Sequence, residues 1–521
     1  MAGIVVPVAL FTWRALRAPV NFDGGMNLQV AESLAHGDGY TRFYHALLPF
    51  PHEVQTNGPF MWTAALSIRV LGENQLAYQL TNLLAVAGLA GVVAALVRER
   101  PVLRVVGPGL VLLAAPTIAV YGLGALGEVP MTAFLLASVL ALAAAVRAPE
   151  RAVRWLFVAG LAFGAAFATK TFAQGAAGGF AVGVAGALVA VAGWPARARA
   201  LAATVAGVLA VPALRELHRL VGLEGIDNWR AWWAEERTYI SSQSGFEGGD
   251  RGGPVQTFLD HMHTLAGLVD FPAELLLGVL FLPLVAVVAV VVWRWRADGL
   301  RRVLTDPALL ALLVTAVMAV SYIGWWMLLV PERKAWIRRI LPGLLLLDVV
   351  YLLLAPWVMR AGRAAWARWR DRSGPAFARR APALALAGAL ALAAVTALPY
   401  AAGKLTSNGG DLVAGEPEWL DATRAAAAYV ESHDEQRFYG DEWWSAPVVS
   451  LMSGVDFYNL GDTPSCSLDP ARDRLVWDYD AKTRLRPEPW TRSGRLVFEE
   501  VATFGEYVSI YAVGPAPGRC S

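Results

Sequence analysis

The sequence predicts an α-helical polytopic membrane protein of about eleven transmembrane helices, followed by a small α/β domain outside the membrane. Three observations carry this expectation. Hydrophobic residues make up 56% of the 521 positions and charged ones 17%, and the mean hydropathy is +0.46. An ordinary soluble domain carries about 25% charge, so this chain has too few polar groups to cover a globule of its size. The apolar residues also come in runs of the length a bilayer demands. From residue 401 the composition turns globular, with 19 acids against 11 Lys and Arg.

The elements follow in order. Residues 1–13 are apolar, yet about 13 residues reach only roughly 20 Å of a ~30 Å hydrocarbon core. No basic segment precedes them, and Arg14 and Arg17 follow, against the pattern of a signal peptide. The expectation is a first transmembrane helix that begins before this chain does. Further apolar segments run at 76–97, 105–121, 128–146, 155–172, 173–193, 200–214, 271–293, 307–330, 341–359 and 383–400. Leu156 to Gly193 is broken only by Lys170 and Gln174. One helix of that length would measure roughly 57 Å, so two helices with a hairpin over Thr169–Gly175 are expected. The 200–214 segment, ending at Arg215 and Glu216, is the weakest span.

Arginine sets the orientation. With the N-terminus inside, the cytoplasmic loops 98–104, 147–154, 194–199, 294–302 and 360–380 hold 19 Arg against Glu99, Glu150, Asp298 and Asp371, as the positive-inside rule requires. The chain then divides into a transmembrane domain over 1–400, with outer loops 21–75 and 222–270, and an extracytoplasmic domain over 401–521. The first outer loop is expected to hold short amphipathic helices. The tail reads as helix 418–432, strand 436–440, helix 443–452, and strands near 496–501 and 507–513. Ala, Val, Gly and Arg are abundant while Lys is scarce, which suggests a GC-rich bacterial genome, and the expected location is a bacterial cytoplasmic (inner) membrane. The net charge of +2 gives no reason to expect nucleic acid as a partner. Two cysteines exclude a thiolate metal cluster. Cys466 and Cys520 both lie in the tail, in a compartment that tolerates disulfides, and a bond between them is one expectation.

Ionisable groups in or beside transmembrane helices are costly and ask for a reason. Asp23 follows the first helix, Glu128 opens the fourth, Lys170 sits at the hairpin tip, and Arg333, Lys334, Arg338 and Arg339 crowd the outer loop 331–341. The orientation, fixed from other arginines, puts them all at one face. Each has a local reading too: Asp23 as a helix cap, Glu128 as an answer to the helix dipole, Lys170 as a snorkelling side chain, the 331–341 cluster as a headgroup contact. Together, carboxylates and cations at a membrane surface suit chemistry on a phosphorylated lipid. His261 and His263 lack the partners of a metal site. Trp229, Trp232, Trp233, Trp325, Trp326 and Trp336 read as an interfacial aromatic belt rather than a sugar platform. Gly248, Gly249, Gly252 and Gly253 read as a flexible loop.

The order of these motifs resembles the GT-C superfamily of membrane glycosyltransferases, nearest to its protein O-mannosyltransferase and aminoarabinose transferase branch. The resemblance lies in Asn21-Phe22-Asp23-Gly24-Gly25, Gly37-Asp38-Gly39-Tyr40, Gln55-Thr56-Asn57-Gly58-Pro59-Phe60, Gly127-Glu128-Val129-Pro130, Ala168-Thr169-Lys170 and Arg338-Arg339-Ile340-Leu341-Pro342. Relatives often carry Asp-Glu where this chain has Asp23-Gly24, and a Pro-Pro turn where it has Gly58-Pro59. The resemblance implies a hexosyl- or pentosyltransferase that moves sugar from a polyprenyl-phosphate carrier to an acceptor glycan, lipid or protein. Asp23 would be the general base, and Lys170, Arg338 and Arg339 would bind the donor phosphate. Glu128 would orient the acceptor or, with Asp23, hold a divalent cation. The 222–270 loop would act as a lid. The rival readings are a transporter or flippase of lipid-linked sugars and a noncatalytic scaffold that displays the tail.

Overall fold

The computed structural model describes residues 2–16, 20, 22–42, 49–54, 56–114, 124, 127–243, 254–269, 273–329, 337–370, 417–440, 445–478 and 495–518. Helix α1 (Ala2–Ala15) leads into the first outer loop, which forms α2 (Phe22–His36) and α3 (Gly58–Leu71). Then follow α4 (Gln75–Leu96), α5 (Pro101–Ala114), α6 (Glu128–Arg147) and α7 (Ala152–Thr169). The expected hairpin is present: α7 stops at Thr169, Thr171–Ala176 make a tight 3-10 turn, and α8 (Ala177–Ala190) returns. Next come α9 (Trp194–Gly222), α10 (Ile226–Gln243), α11 (Pro254–Val269), α12 (Ala273–Asp298) and the short α13 (Leu300–Thr305). Helices α14 (Pro307–Leu329) and α15 (Ile337–Arg370) complete the bundle.

Among the described residues, seven segments are long and apolar enough to cross a membrane: Gln75–Leu96, Glu128–Arg147, Pro149–Thr169, Thr171–Ala190, Trp194–Gly222, Pro307–Met327 and Arg339–Arg360. Ile4–Trp13 and Pro101–Leu112 are apolar but shorter. Helix α12 occupies the expected 271–293 crossing; the one expected at 383–400 lies outside the described residues. The bundle buries Leu89, Leu135, Leu142, Leu156, Leu312 and Leu346 in one core. With lipid outside, such helices associate by close packing rather than by hydrophobic transfer. Helices α7 and α9 show why glycine matters here. A Cβ on Gly160 would lie 2.3 Å from the Thr204 carbonyl oxygen, and one on Gly207 2.3 Å from that of Phe157.

Helix α9 corrects the sequence reading. The expected loop 194–199 and weak span 200–214 are one helix of 29 residues, begun by Pro195 in its first turn and carried past Arg215 to Gly222. The apolar pattern ends at Arg215. The helix continues because its outer turns pack on the first outer loop, with His218 edge-on to Tyr40 and Phe50 at 6.2 and 5.5 Å between ring centres.

Among its described residues the C-terminal part holds α16 (Pro417–Glu431), α17 (Ser445–Ser453) and five strands: β1 (Arg437–Gly440), β2 (Phe457–Asn459), β3 (Asp473–Asp478), β4 (Leu496–Phe504) and β5 (Val508–Pro515). The sheet order is β2-β1-β3-β5-β4, parallel on either side of β1 and antiparallel from β3 onward. Strands β2 and β3 were not expected. Central β3 presents only Leu475, Val476 and Trp477 between charged residues, too short an apolar run to stand out. Its buried Asp473 accepts from Arg437 (Nη2–Oδ2 2.8 Å) and from the Asp469 amide. Cys466 is disulfide-bonded, and the chain's other cysteine, Cys520, lies outside the described residues.

Candidate active site

Two of the residues singled out in the sequence meet directly. Glu128, the first residue of α6, and Lys170, between α7 and the 3-10 turn, form an ion pair at 2.5 Å with both side chains buried. The first outer loop closes over them. Gly127 has φ 84°, the left-handed region that favours glycine, and a Cβ there would lie 2.7 Å from Thr56 Cγ2. The Asn57 amide donates to the Thr169 carbonyl at 3.0 Å. Thr56 in turn accepts from Asn27 Nδ2 at 3.3 Å. Asp23 is half-buried in the first turn of α2, four residues before Asn27, and so on the same helical face. Through Asn27, Thr56 and Gly127, the Asp23 helix is tied to the Glu128–Lys170 pair.

Arg339 joins from the start of α15, which begins at Ile337; the cations expected on a loop therefore sit partly on a helix. The Arg339 guanidinium lies 4.9 Å from the Phe172 ring centre and Lys170 Nζ 5.6 Å from the same centre. One aromatic ring thus gathers two cations, a favourable contact with its negative face. The Arg338 side chain, Arg333 and Lys334 lie outside the described residues.

Beside this cluster opens a cavity of about 420 Å³. Lys170, Phe172 and Gln174 line one side, Arg215 and Arg219 the other, and Tyr40, Phe50 and His52 the roof. Tyr40, Phe50, Pro51, His52, Val54 and Asn57, and Trp232, Trp233, Glu236, Tyr239 and Ile240, belong to the two loops that the arginine distribution assigns to the outer face. The close α7–α9 crossing brings the two sides together, with Arg215 Cζ 5.6 Å from the Phe167 ring centre.

Sequence reasoning missed the α9 side. Glu216 is its hub: it accepts from Arg215 Nε (3.0 Å), Arg219 Nη1 (2.8 Å), Trp229 Nε1 (3.1 Å) and Trp233 Nε1 (3.3 Å). The Arg219 guanidinium lies 3.8 Å from the Trp232 ring centre, and Trp232 Nε1 donates to the Phe50 carbonyl at 2.7 Å. Trp232 and Trp233 line the cavity rather than forming only a belt. Arg219 Nε is buried and makes no hydrogen bond among the described residues. The available signal was the four-residue spacing of Arg215 and Arg219 on one helical face, hidden because charges after an apolar run read as its end. In the roof, His52 Nδ1 and Glu236 Oε2 lie 2.6 Å apart, and that hydrogen bond raises the imidazole above its ordinary pKa despite partial burial.

A metal fits these residues poorly. A hard divalent cation takes six or more oxygen ligands, whereas Glu128 is engaged by Lys170 and position 24 is glycine. No group of three His, Cys, Asp or Glu that could hold a metal occurs among the described residues.

No protein-family model and no curated protein sequence matches the chain. Its structure does match solved structures. ArnT from Cupriavidus metallidurans, bound to undecaprenyl phosphate, superposes with a TM-score of 0.58 at 15% identity, over 98% of this chain and 96% of that one. Its apo form gives 0.58 at 14% identity over the same shares. The Archaeoglobus fulgidus oligosaccharyltransferase, in complex with Zn and sulfate, gives 0.50 at 14%, over 97% of this chain and 72% of that one. Multiple apolar helices, a small C-terminal sheet and superposition over nearly the whole length lead to one conclusion: this multi-pass membrane protein has the same fold as ArnT.

Proposed function

We propose that this chain is a glycosyltransferase that moves a sugar from a polyprenyl-phosphate carrier to an acceptor at the outer face of the bacterial cytoplasmic membrane. The observation that carries the reading is the cavity in which Lys170, Arg215 and Arg219 converge with Phe172, Trp232 and Trp233. Cations suit the phosphate, aromatic faces suit a sugar, and a position at the ends of the helices suits a lipid whose tail stays in the bilayer. The undecaprenyl phosphate bound to ArnT supports the carrier class. In this reading, Asp23 takes the proton from an acceptor hydroxyl or amine as that atom attacks the anomeric carbon. The bond from that carbon to the phosphate oxygen breaks, and the oxygen leaves with the electron pair. Lys170, Arg339, Arg215 and Arg219 stabilise the charge that builds there; Arg338 is a further candidate by position. Glu128 holds the Lys170 ammonium in place. The tail over 401–521 stands on the same outer side, and the acceptor is a glycan, a lipid or a protein.

A flippase would spread polar groups along a crossing path, whereas these cations gather at one end. Binding tests the reading first. Full-length protein in nanodiscs, titrated with undecaprenyl phosphate and with undecaprenol as the uncharged control, should bind the phosphate at least tenfold more tightly. Equal binding of the two would overturn it.

A further inference from the structure

The C-terminal domain touches the membrane domain at the helix that carries Asp23. Helix α17 begins Ser445-Ala446-Pro447-Val448, all buried, and packs on the first half of α2. The contact is tight: a Cβ on Gly25 would lie 3.2 Å from Val448 Cγ2 and 3.4 Å from the Pro447 carbonyl oxygen. One turn further, Gln29 Nε2 reaches the same Pro447 oxygen at 3.5 Å. Leu451, on the same C-terminal helix, joins the core made by α2 and α3.

Gln29 also faces the other way. Its Oε1 accepts from Arg42 Nε at 3.1 Å, and Arg42 Nη1 pairs with Glu53 Oε1 at 2.5 Å. Gln29 is 8% exposed, Arg42 0%, and the Glu53 side chain 7%. Glu53 follows His52, which lines the cavity roof. A single buried amide therefore links the C-terminal domain to the Asp23 helix and, through one arginine, to the roof. Shielded from water, such a linkage is stiffer than its surface equivalent.

We propose that Gln29 is a positioning residue through which the C-terminal domain sets the geometry of the active site: α17 fixes the first turns of α2, and the Gln29–Arg42–Glu53 relay fixes residues 50–54. The role in turnover rests on the transferase reading; the mechanical linkage does not. Gln29→Glu disturbs both arms, because the added carboxylate repels the Pro447 oxygen and competes with Glu53 for the Arg42 guanidinium. Val448→Ala loosens the same contact from the C-terminal side and leaves the relay intact.

Amide hydrogen exchange of both full-length variants, with steady-state kinetics on the lipid-linked donor, tests the proposal. Exchange over residues 22–30 should rise severalfold in both variants, and over 50–54 in Gln29→Glu. Turnover should fall about tenfold, as a small misplacement of a reacting group does, with the donor KM changed less than twofold. Gln29→Asn, which keeps both donor and acceptor, should recover part of the turnover. If exchange over 22–30 and 50–54 equals that of wild type in both variants, the linkage is wrong. If exchange rises but turnover per folded molecule is unchanged, Gln29 is only structural and the positioning role falls. If wild-type protein transfers no sugar, the transferase reading fails and the exchange data alone decide the linkage.

Discussion

Glu128 and Lys170, 42 residues apart in sequence, meet as a buried ion pair that joins the start of α6 to the tip of the α7–α8 hairpin. A buried pair is worth little relative to an apolar replacement of both partners, but losing one partner strands a charge and costs about 3–5 kcal/mol. Lys170→Met should therefore lower the stability of the full-length protein by about that much. Adding Glu128→Gln should restore most of it. Thermal unfolding in detergent measures both. Neither variant should transfer sugar, since the ammonium that faces the cavity is gone. A double variant no more stable than Lys170→Met would show that the two side chains do not depend on each other.

Arg219 lines the cavity, whereas Arg339 reaches it only through the Phe172 ring, and they should differ in effect. Arg219, locked by Glu216 and stacked on Trp232, is placed to hold the resting phosphate. Arg219→Gln should weaken undecaprenyl phosphate binding about 10- to 100-fold, the worth of one charge-assisted hydrogen bond. Arg339 shares Phe172 with Lys170, whose part is in the departing charge. Arg339→Gln should cost about 2–4 kcal/mol in turnover, by analogy with a lost oxyanion donor, with binding little changed. Titration and turnover of both variants check this split; equal effects on binding would refute it.

Much of the fold was legible because the bilayer imposes a length on each apolar run. The hairpin at Lys170 followed from arithmetic alone, since Leu156 to Gly193 is too long for one helix. The α9 half of the site was hidden for a related reason. Membrane spans are recognised by where their hydrophobicity ends, and Arg215 ended it, although the helix runs seven residues further to Gly222. Tertiary contacts with Tyr40 and Phe50 carry those turns, and no local pattern announces them. The same holds for Trp232: an interfacial tryptophan and a cavity tryptophan have the same sequence signature. Glu128 and Lys170 could each be singled out as costly charges, but that each is the other's partner is a fact of folding.

The α2 helix should also respond to pH. Glu32 accepts from Tyr78 Oη at 2.7 Å and has Glu73 and Asp456 nearby, with Glu73 paired to His36. Burial, chiefly, pushes its carboxyl from an ordinary 4.5 up to about 8. The folded protein thus keeps a proton that the unfolded chain releases near 4.5, so raising the pH favours unfolding. This contribution is full below about pH 4.5 and is lost by about pH 8, at no more than about 1.4 kcal/mol per pH unit. His52 adds a loss of the same sign, since its raised pKa stabilises the fold only while the ring is charged. Glu32→Gln should flatten the fall in melting temperature between pH 5 and 8 and stabilise the protein at pH 8. A variant curve parallel to that of wild type would remove Glu32 from the account.

In the proposed reaction Asp23 serves as the base in sugar transfer from a lipid-phosphate donor. The most direct measurement compares purified wild type and Asp23→Asn, reconstituted with a polyprenyl-phosphate-linked radiolabelled sugar and a membrane-extract acceptor, by counting label moved per folded enzyme molecule. Asparagine keeps the size and polarity of the side chain but cannot take the proton. Wild type should transfer sugar and the variant should lose at least about 100-fold, the low end of what general-base catalysis contributes, with melting temperature and undecaprenyl phosphate binding preserved. Transfer by Asp23→Asn at a rate near that of wild type would contradict this role for Asp23.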